Sequence, residues 1–259
     1  MNEQPIDLGN GFFGVLTLAA PASPTRPIVI LLSAGLLHRV GPFRLHVQLA
    51  RALAAAGHNV LRFDLPGVGD SGFAVVEPVA VVQQVFDVLH RTFADARFIV
   101  GGICSAADLG WRIALADARV CGVMLLDGYA RRGLWFRVGQ VGLLLRRPPR
   151  SWFGILQRRA NSRVQITDDD LRDWPQGAEA QTQLRALLAR KVRVLAIYTG
   201  GVASYFLHPR QFGATFARAA RDERVTFAFW PQADHLFMAD RDRRTLLDAV
   251  RDWGALDFG

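Results

Sequence analysis

Residues 98–108 read FIVGGICSAAD: an apolar run, two glycines, then Ile103, Cys104, Ser105 and two alanines. The apolar run predicts a strand and the alanine-led stretch predicts a helix, with Cys104 at the corner between them. A nucleophile on such a corner sits on strained backbone and is crowded by neighbouring chain. Small residues are therefore needed two positions before and two positions after it. Gly102 and Ala106 meet that need around Cys104. Centring the corner on Ser105 would put bulky, β-branched Ile103 at the first small position, so the register favours the cysteine. The start of a helix just beyond favours a thiolate, and a partner histidine would favour it further. The competing reading is a small buried residue in a glycine-rich turn. Cys121, inside an apolar run, reads as core.

Working outward, short apolar runs alternate with helical patterns, which predicts a sheet covered by helices on both faces. Strands are expected at 12–18, 27–32 (PIVILL), 58–64 (HNVLRFD), 97–100, 120–126 (VCGVMLL), 193–198 (RVLAIY) and 225–229. Helices are expected at 42–56, 78–94, 106–116, 206–220 and 245–253, and 65–72 (LPGVGDSG) is a loop by its turn residues. The sixty or so residues between the strands at 120–126 and 193–198 differ in character. The expectation is a single α/β domain over 1–259 with a mostly parallel central sheet and an inserted cap at 131–190.

Composition agrees with a folded enzyme-sized chain. Of 259 residues, 51% are hydrophobic and 21% charged, which excludes a disordered polymer. No leader pattern or membrane-length apolar stretch is visible, so the default expectation is a cytoplasmic protein. Two cysteines are too few for a disulfide scaffold and have no metal-site spacing; neither a metal nor a cofactor is expected. The formal charge is +8, and residues 128–167 hold nine arginines and no carboxylate.

At this point the chain resembles the α/β-hydrolase superfamily, particularly bacterial members similar to the serine aminopeptidase-like hydrolases and to hydrolases of exosortase and exopolysaccharide gene clusters. The residues that carry the resemblance are 33–44 (SAGLLHRVGPFR), 63–71 (FDLPGVGDS), 102–106, 125–127 and 233–237 (ADHLF). It covers both ends of the chain and skips the cap. Superfamily members with a G-x-C-x-G elbow include lactone hydrolases and acyltransferases that work through thioesters; here Ala106 stands in place of the last glycine.

The resemblance places the general base at His235, after the last strand, where it can take a proton from Cys104 and return it to a leaving group. Most relatives carry an acid after the strand that here ends at Tyr198, but 199–204 (TGGVAS) has no carboxylate. Asp127 is the substitute, at a position where some superfamily members place their acid; the competing reading is a turn cap. A thiolate paired with imidazolium depends less on an orienting carboxylate than serine does. An oxyanion hole would use the N–H groups of Ser105 and Leu36, beside Gly35. His38 and Arg39 either line the substrate site or pair with Asp64 and Asp70 to hold the loops.

The arginines of the cap are interleaved with Leu134, Trp135, Phe136, Val141, Trp152, Phe153 and Leu156. Such a segment can cover an acyl pocket while offering positive charge to an acyl carrier protein, coenzyme A or an anionic membrane; alternatively its arginines are simply solvated. Nucleic acid is not expected, because no binding motif accompanies the charge. Asp168 to Asp170 would cap a following helix. The expected activity is acyl transfer from an ester or thioester, by an esterase, thioesterase or acyltransferase, through an acyl group on Cys104. The alternative is a non-catalytic binding or scaffold protein, suggested by the vacant acid position.

Overall fold

In the sheet, apolar strands alternate their side chains between two helical layers. The computed structural model describes residues 2–20, 25–128, 130–145, 174–175 and 177–258. Eight strands run β1 (Asn2–Asp7), β2 (Phe13–Leu18), β3 (Ile28–Leu31), β4 (Val60–Phe63), β5 (Phe98–Ile103), β6 (Val120–Leu126), β7 (Arg193–Thr199) and β8 (Val225–Trp230). Their order across the sheet is β1-β2-β4-β3-β5-β6-β7-β8. β2 is antiparallel to both its neighbours, and β4 through β8 are mutually parallel.

The helices are α1 (Leu45–Ala55), α2 (Pro78–Thr92), α3 (Ser105–Ala116), α4 (Leu134–Leu145), α5 (Ala178–Ala189), α6 (Arg210–Phe216) and α7 (Asp240–Gly254). Ile28 and Ile30 of β3 face the core layer that holds α2, α3, α5 and α6, whereas Val29 and Leu31 face the layer of α1 and α7. That two-sided burial is why the parallel strands read as unbroken apolar runs rather than as alternating ones. Cys121 lies fully buried in β6 with its thiol donating to the Phe98 carbonyl, and burial pushes that thiol up to about 12. It is a core residue.

Several boundaries differ from the sequence expectation, among them the start of α7 at Asp240, and three differences have a clear physical reason. β1 is an exposed edge strand of polar residues, paired along its whole length with β2, and nothing in its pattern announces it. The helix expected at 206–220 shortens to α6, because Pro209 stands at its N-cap and Ala217 turns to φ 50°. The helix expected at 42–56 divides at Phe43 and Arg44, both at positive φ, into a 3₁₀ turn (Pro42–Arg44) and α1. α5 falls within the segment read as a cap, and it packs Ala180, Leu184 and Leu187 into the main core. The arginines and aromatics at 146–163 and the carboxylates at 168–170 lie outside the described residues.

Candidate active site

The corner after β5 holds Cys104 at φ 60° and ψ −127°, a region that costs an L-residue on the order of 1–3 kcal/mol. Its backbone explains why. Cys104 N–H donates to the Leu126 carbonyl at 2.8 Å while its own carbonyl accepts from Ala107 N–H at 2.9 Å, so one residue ends the sheet ladder and starts α3. The small flanks are enforced by contact. A Cβ at position 102 would lie 2.4 Å from the Leu32 carbonyl oxygen and 2.9 Å from the Ala106 Cβ. α3 itself approaches β5 so closely that a Cβ on Gly110 would meet Gly101 Cα at 2.9 Å.

His235 arrives on the loop after β8. Its Nδ1 donates to Asp127 Oδ2 at 2.8 Å, and its ring also shares a hydrogen bond with the Cys104 side chain. The bond to the Asp127 carboxylate, with that to Cys104, raises the imidazole from its ordinary value to about 9 against the opposing cost of burial. Asp127, 1% exposed, is the inner end of the chain. It takes three donors: Thr199 N–H on Oδ1 at 2.6 Å, and the Thr199 hydroxyl on Oδ2 at 2.7 Å, beside His235. Its carbonyl accepts from the Tyr205 hydroxyl at 2.8 Å.

Thr199 thus ends β7, at the start of the segment 199–204 that lacks a carboxylate, and there it supplies donors to the carboxylate of Asp127, just after β6. Sequence reasoning passed over it. The available signal was Thr199-Gly200-Gly201 itself, since both glycines admit the histidine loop. A Cβ at 200 would meet the Pro231 carbonyl oxygen at 2.2 Å, and one at 201 would meet His235 N at 2.2 Å.

A cavity of about 230 Å³ opens beside Cys104, with Gly35, Leu37, Ile103 and Leu236 among its lining residues together with Ser105 and His235. Gly35 N–H donates to Ser105 Oγ at 3.1 Å, which ties the loop after β3 to the first turn of α3. Leu36 follows in that loop with its side chain 87% exposed. His46 of α1 also lines the cavity; it is buried, and that burial together with the nearby Arg62 charge lowers its pKa to about 4.

His38 and Arg39 lie elsewhere. The Arg39 guanidinium pairs with Asp64, reaches Asp70 at 2.6 Å and stacks over Phe13, while the Arg39 backbone N–H donates to Asp64 Oδ1 at 2.6 Å. His38 Nε2 sits 2.8 Å from the same guanidinium and 3.5 Å from Asp70. These contacts tie the loop after β3 to the loop after β4. His38, Asp64 and Asp70 also bring ligand-type atoms within 4.8 Å of one another, but Arg39 already supplies both carboxylates with a cation.

No family model matches this chain, and no curated protein matches it by sequence. Solved structures do match its fold, which is that of the α/β hydrolases. A protein of unknown function from Agrobacterium tumefaciens, described as an α/β hydrolase, superposes with a TM-score of 0.63 at 13% identity, covering 97% of this chain and 94% of that one. The esterase domain of a Rhodothermus marinus protein gives 0.57 at 16% identity over 100% and 99% of the two chains. The thioesterase domain of the curacin biosynthetic pathway gives 0.56 at 15% identity over 96% and 98%.

Proposed function

We propose that the protein is an acyl-transfer enzyme in which Cys104 is the nucleophile, His235 the proton carrier and Asp127 the residue that orients it. The observation that carries this reading is the continuous chain Asp127–His235–Cys104, built on the strained corner after β5. An imidazole raised to about 9 is protonated at neutral pH, which favours a thiolate partner. The sulfur attacks the carbonyl carbon of an ester or thioester and forms a C–S bond, and the carbonyl electrons move onto oxygen. The N–H groups of Ser105 and Leu36 are the proposed donors to that oxyanion. Collapse breaks the bond to the alcohol or thiol, which leaves with the His235 proton. Water, an alcohol or an amine then gives a proton to His235 as it attacks the thioester, and the Cys104 thiolate is released.

The esterase and thioesterase domains among the structural matches support this class of chemistry. The reading of a non-catalytic scaffold drew on the vacant position after β7, and Asp127 on His235 Nδ1 removes that motive. Incubation with an activated ester or acyl thioester, followed by intact-mass spectrometry, is the test. A single acyl adduct is expected in wild type and in Ser105→Ala, and none in Cys104→Ala. An adduct lost in Ser105→Ala and kept in Cys104→Ala would refute the assignment, and no labelling by any acyl donor would return the protein to the binding class.

A further inference from the structure

Helix α4 is apolar on two sides. Phe136 is buried, and Gly139 lies so close to Leu207 that a Cβ there would come within 2.6 Å of it, so this side faces the body of the protein. Leu134, Val138, Val141 and Leu145 recur at the spacing of one helical face, and all four are exposed, the two leucines at 72% and 70%. Among the described residues, every exposed large apolar side chain except Leu256 lies in a segment that follows the C-terminal end of a parallel strand. Leu36 and Phe43 follow β3, Phe73 and Val75 follow β4, α4 follows β6, and Met238 follows β8. Cys104 follows β5 at the same end of the sheet. Scattered exposed leucines are ordinary, but their segregation to one end of a molecule marks a contact surface.

Charge selects the occupant. Arg131 and Arg137 flank the α4 stripe and are exposed, and the surrounding sequence 128–167 has no carboxylate. An apolar helical face edged by arginine fits the interfacial zone of an anionic bilayer, where leucine and valine enter the acyl boundary and guanidinium groups meet phosphate. We propose that the sheet end carrying Cys104 docks on anionic membranes through α4, and that the acyl donor is an ester held at the bilayer surface. The second half of this statement rests on the acyl-transfer reading; the first does not.

Cosedimentation of the full chain with phosphatidylcholine vesicles, with and without phosphatidylglycerol, tests the docking. Wild type is expected to partition onto the anionic vesicles at least about tenfold more strongly than onto the neutral ones. The double variant Leu134→Ser/Val141→Ser should lose about tenfold or more of that partition, Leu134→Ser alone a smaller part, and Arg131→Gln/Arg137→Gln only the anionic preference. These side chains are exposed, so far-UV circular dichroism should be unchanged. Cys104→Ala should bind vesicles as wild type does, which separates docking from chemistry. For the donor, the double variant should slow turnover of an ester embedded in vesicles and leave a water-soluble nitrophenyl ester unaffected. Wild type that stays in the supernatant, or serine variants that bind equally well, would overturn the docking. So would a concentration-dependent dimer that the double variant dissociates, because the face would then belong to a second copy of the chain.

Discussion

At the scale of single residues, the proton on His235 decides how Cys104 works. In the proposed acyl transfer, an imidazole protonated to about 9 favours a thiolate partner and keeps a proton ready for the leaving group. The acylation rate is therefore expected to fall as pH rises through about 9, when the imidazolium is lost. Cys104→Ser should invert that limb. A serine needs neutral imidazole as base, so its much lower rate should climb with pH, and it should level off below 9 because both contributions of Cys104 to the raised His235 value are gone. Pre-steady-state acylation rates between pH 6 and roughly 10 distinguish the two profiles; a wild-type rate still rising above about 9.5 would exclude the imidazolium role. The corner at Cys104 was legible in the sequence from its small flanking residues, and the loop that brings His235 to it from the resemblance, which sets a histidine after the last strand; their catalytic roles belong to the proposal. Asp127 was legible only as an open choice between acid and turn cap. Its role depends on Thr199, seventy-two positions away, whose N–H and hydroxyl leave no signature in a sequence pattern.

At the scale of elements, the corner depends on the approach of three segments: β5, the loop after β3, and α3. Gly102 is where they meet, and its lack of a Cβ is a packing requirement rather than one of backbone freedom. Gly102→Ala is expected to cost about 1–3 kcal/mol of stability, since the contacts are a backbone carbonyl and a methyl at the helix start, neither of which can rotate away. Ala106→Gly, which only opens space at the same point, should be milder in urea unfolding and should leave the acyl adduct intact. Equal losses from both would mean that helix propensity, and not the 2.4 Å approach to Leu32, governs the corner. Elements with buried apolar faces were readable for this same reason, that burial imprints a pattern. β1, whose residues are polar and whose hold on β2 is backbone pairing, left none. The break between α6 and the turn after it was equally hidden, because an alanine at φ 50° reads as a helix former.

At the scale of the whole molecule, two histidines that line the same cavity hold protons differently in the folded and unfolded chain. His235 is raised to about 9 by Asp127 and Cys104, so between its ordinary value near 6.5 and about 9 the folded protein holds a proton that the unfolded chain has released. Taken alone, that contribution is fully present below about pH 6.5 and is lost as pH climbs to 9. His46 is lowered to about 4 by burial and by Arg62, so between about 4 and 6.5 the unfolded chain holds a proton that the fold refuses. Stability must then fall as pH drops from 6.5 toward 4. The decline toward acid is therefore expected from His46, whereas from about pH 6.5 to 8.5 the proton that folded His235 retains is offset by the one that Cys104 gives up in the proposed ion pair, and stability is expected to stay nearly level. Urea unfolding free energies measured from about pH 4.5 to 8.5 should trace that profile. His46→Leu should flatten the acid side and leave the alkaline side unchanged. Cys104→Ala should make stability fall with rising pH above about 6.5, because Asp127 then holds the His235 proton with no thiol to offset it. If both variants instead moved the whole curve by a constant amount, the two imidazoles would be packing groups, and the pH dependence would have to come from carboxylates such as Asp117 and Asp222, which Arg119 and Arg224 hold below their ordinary range.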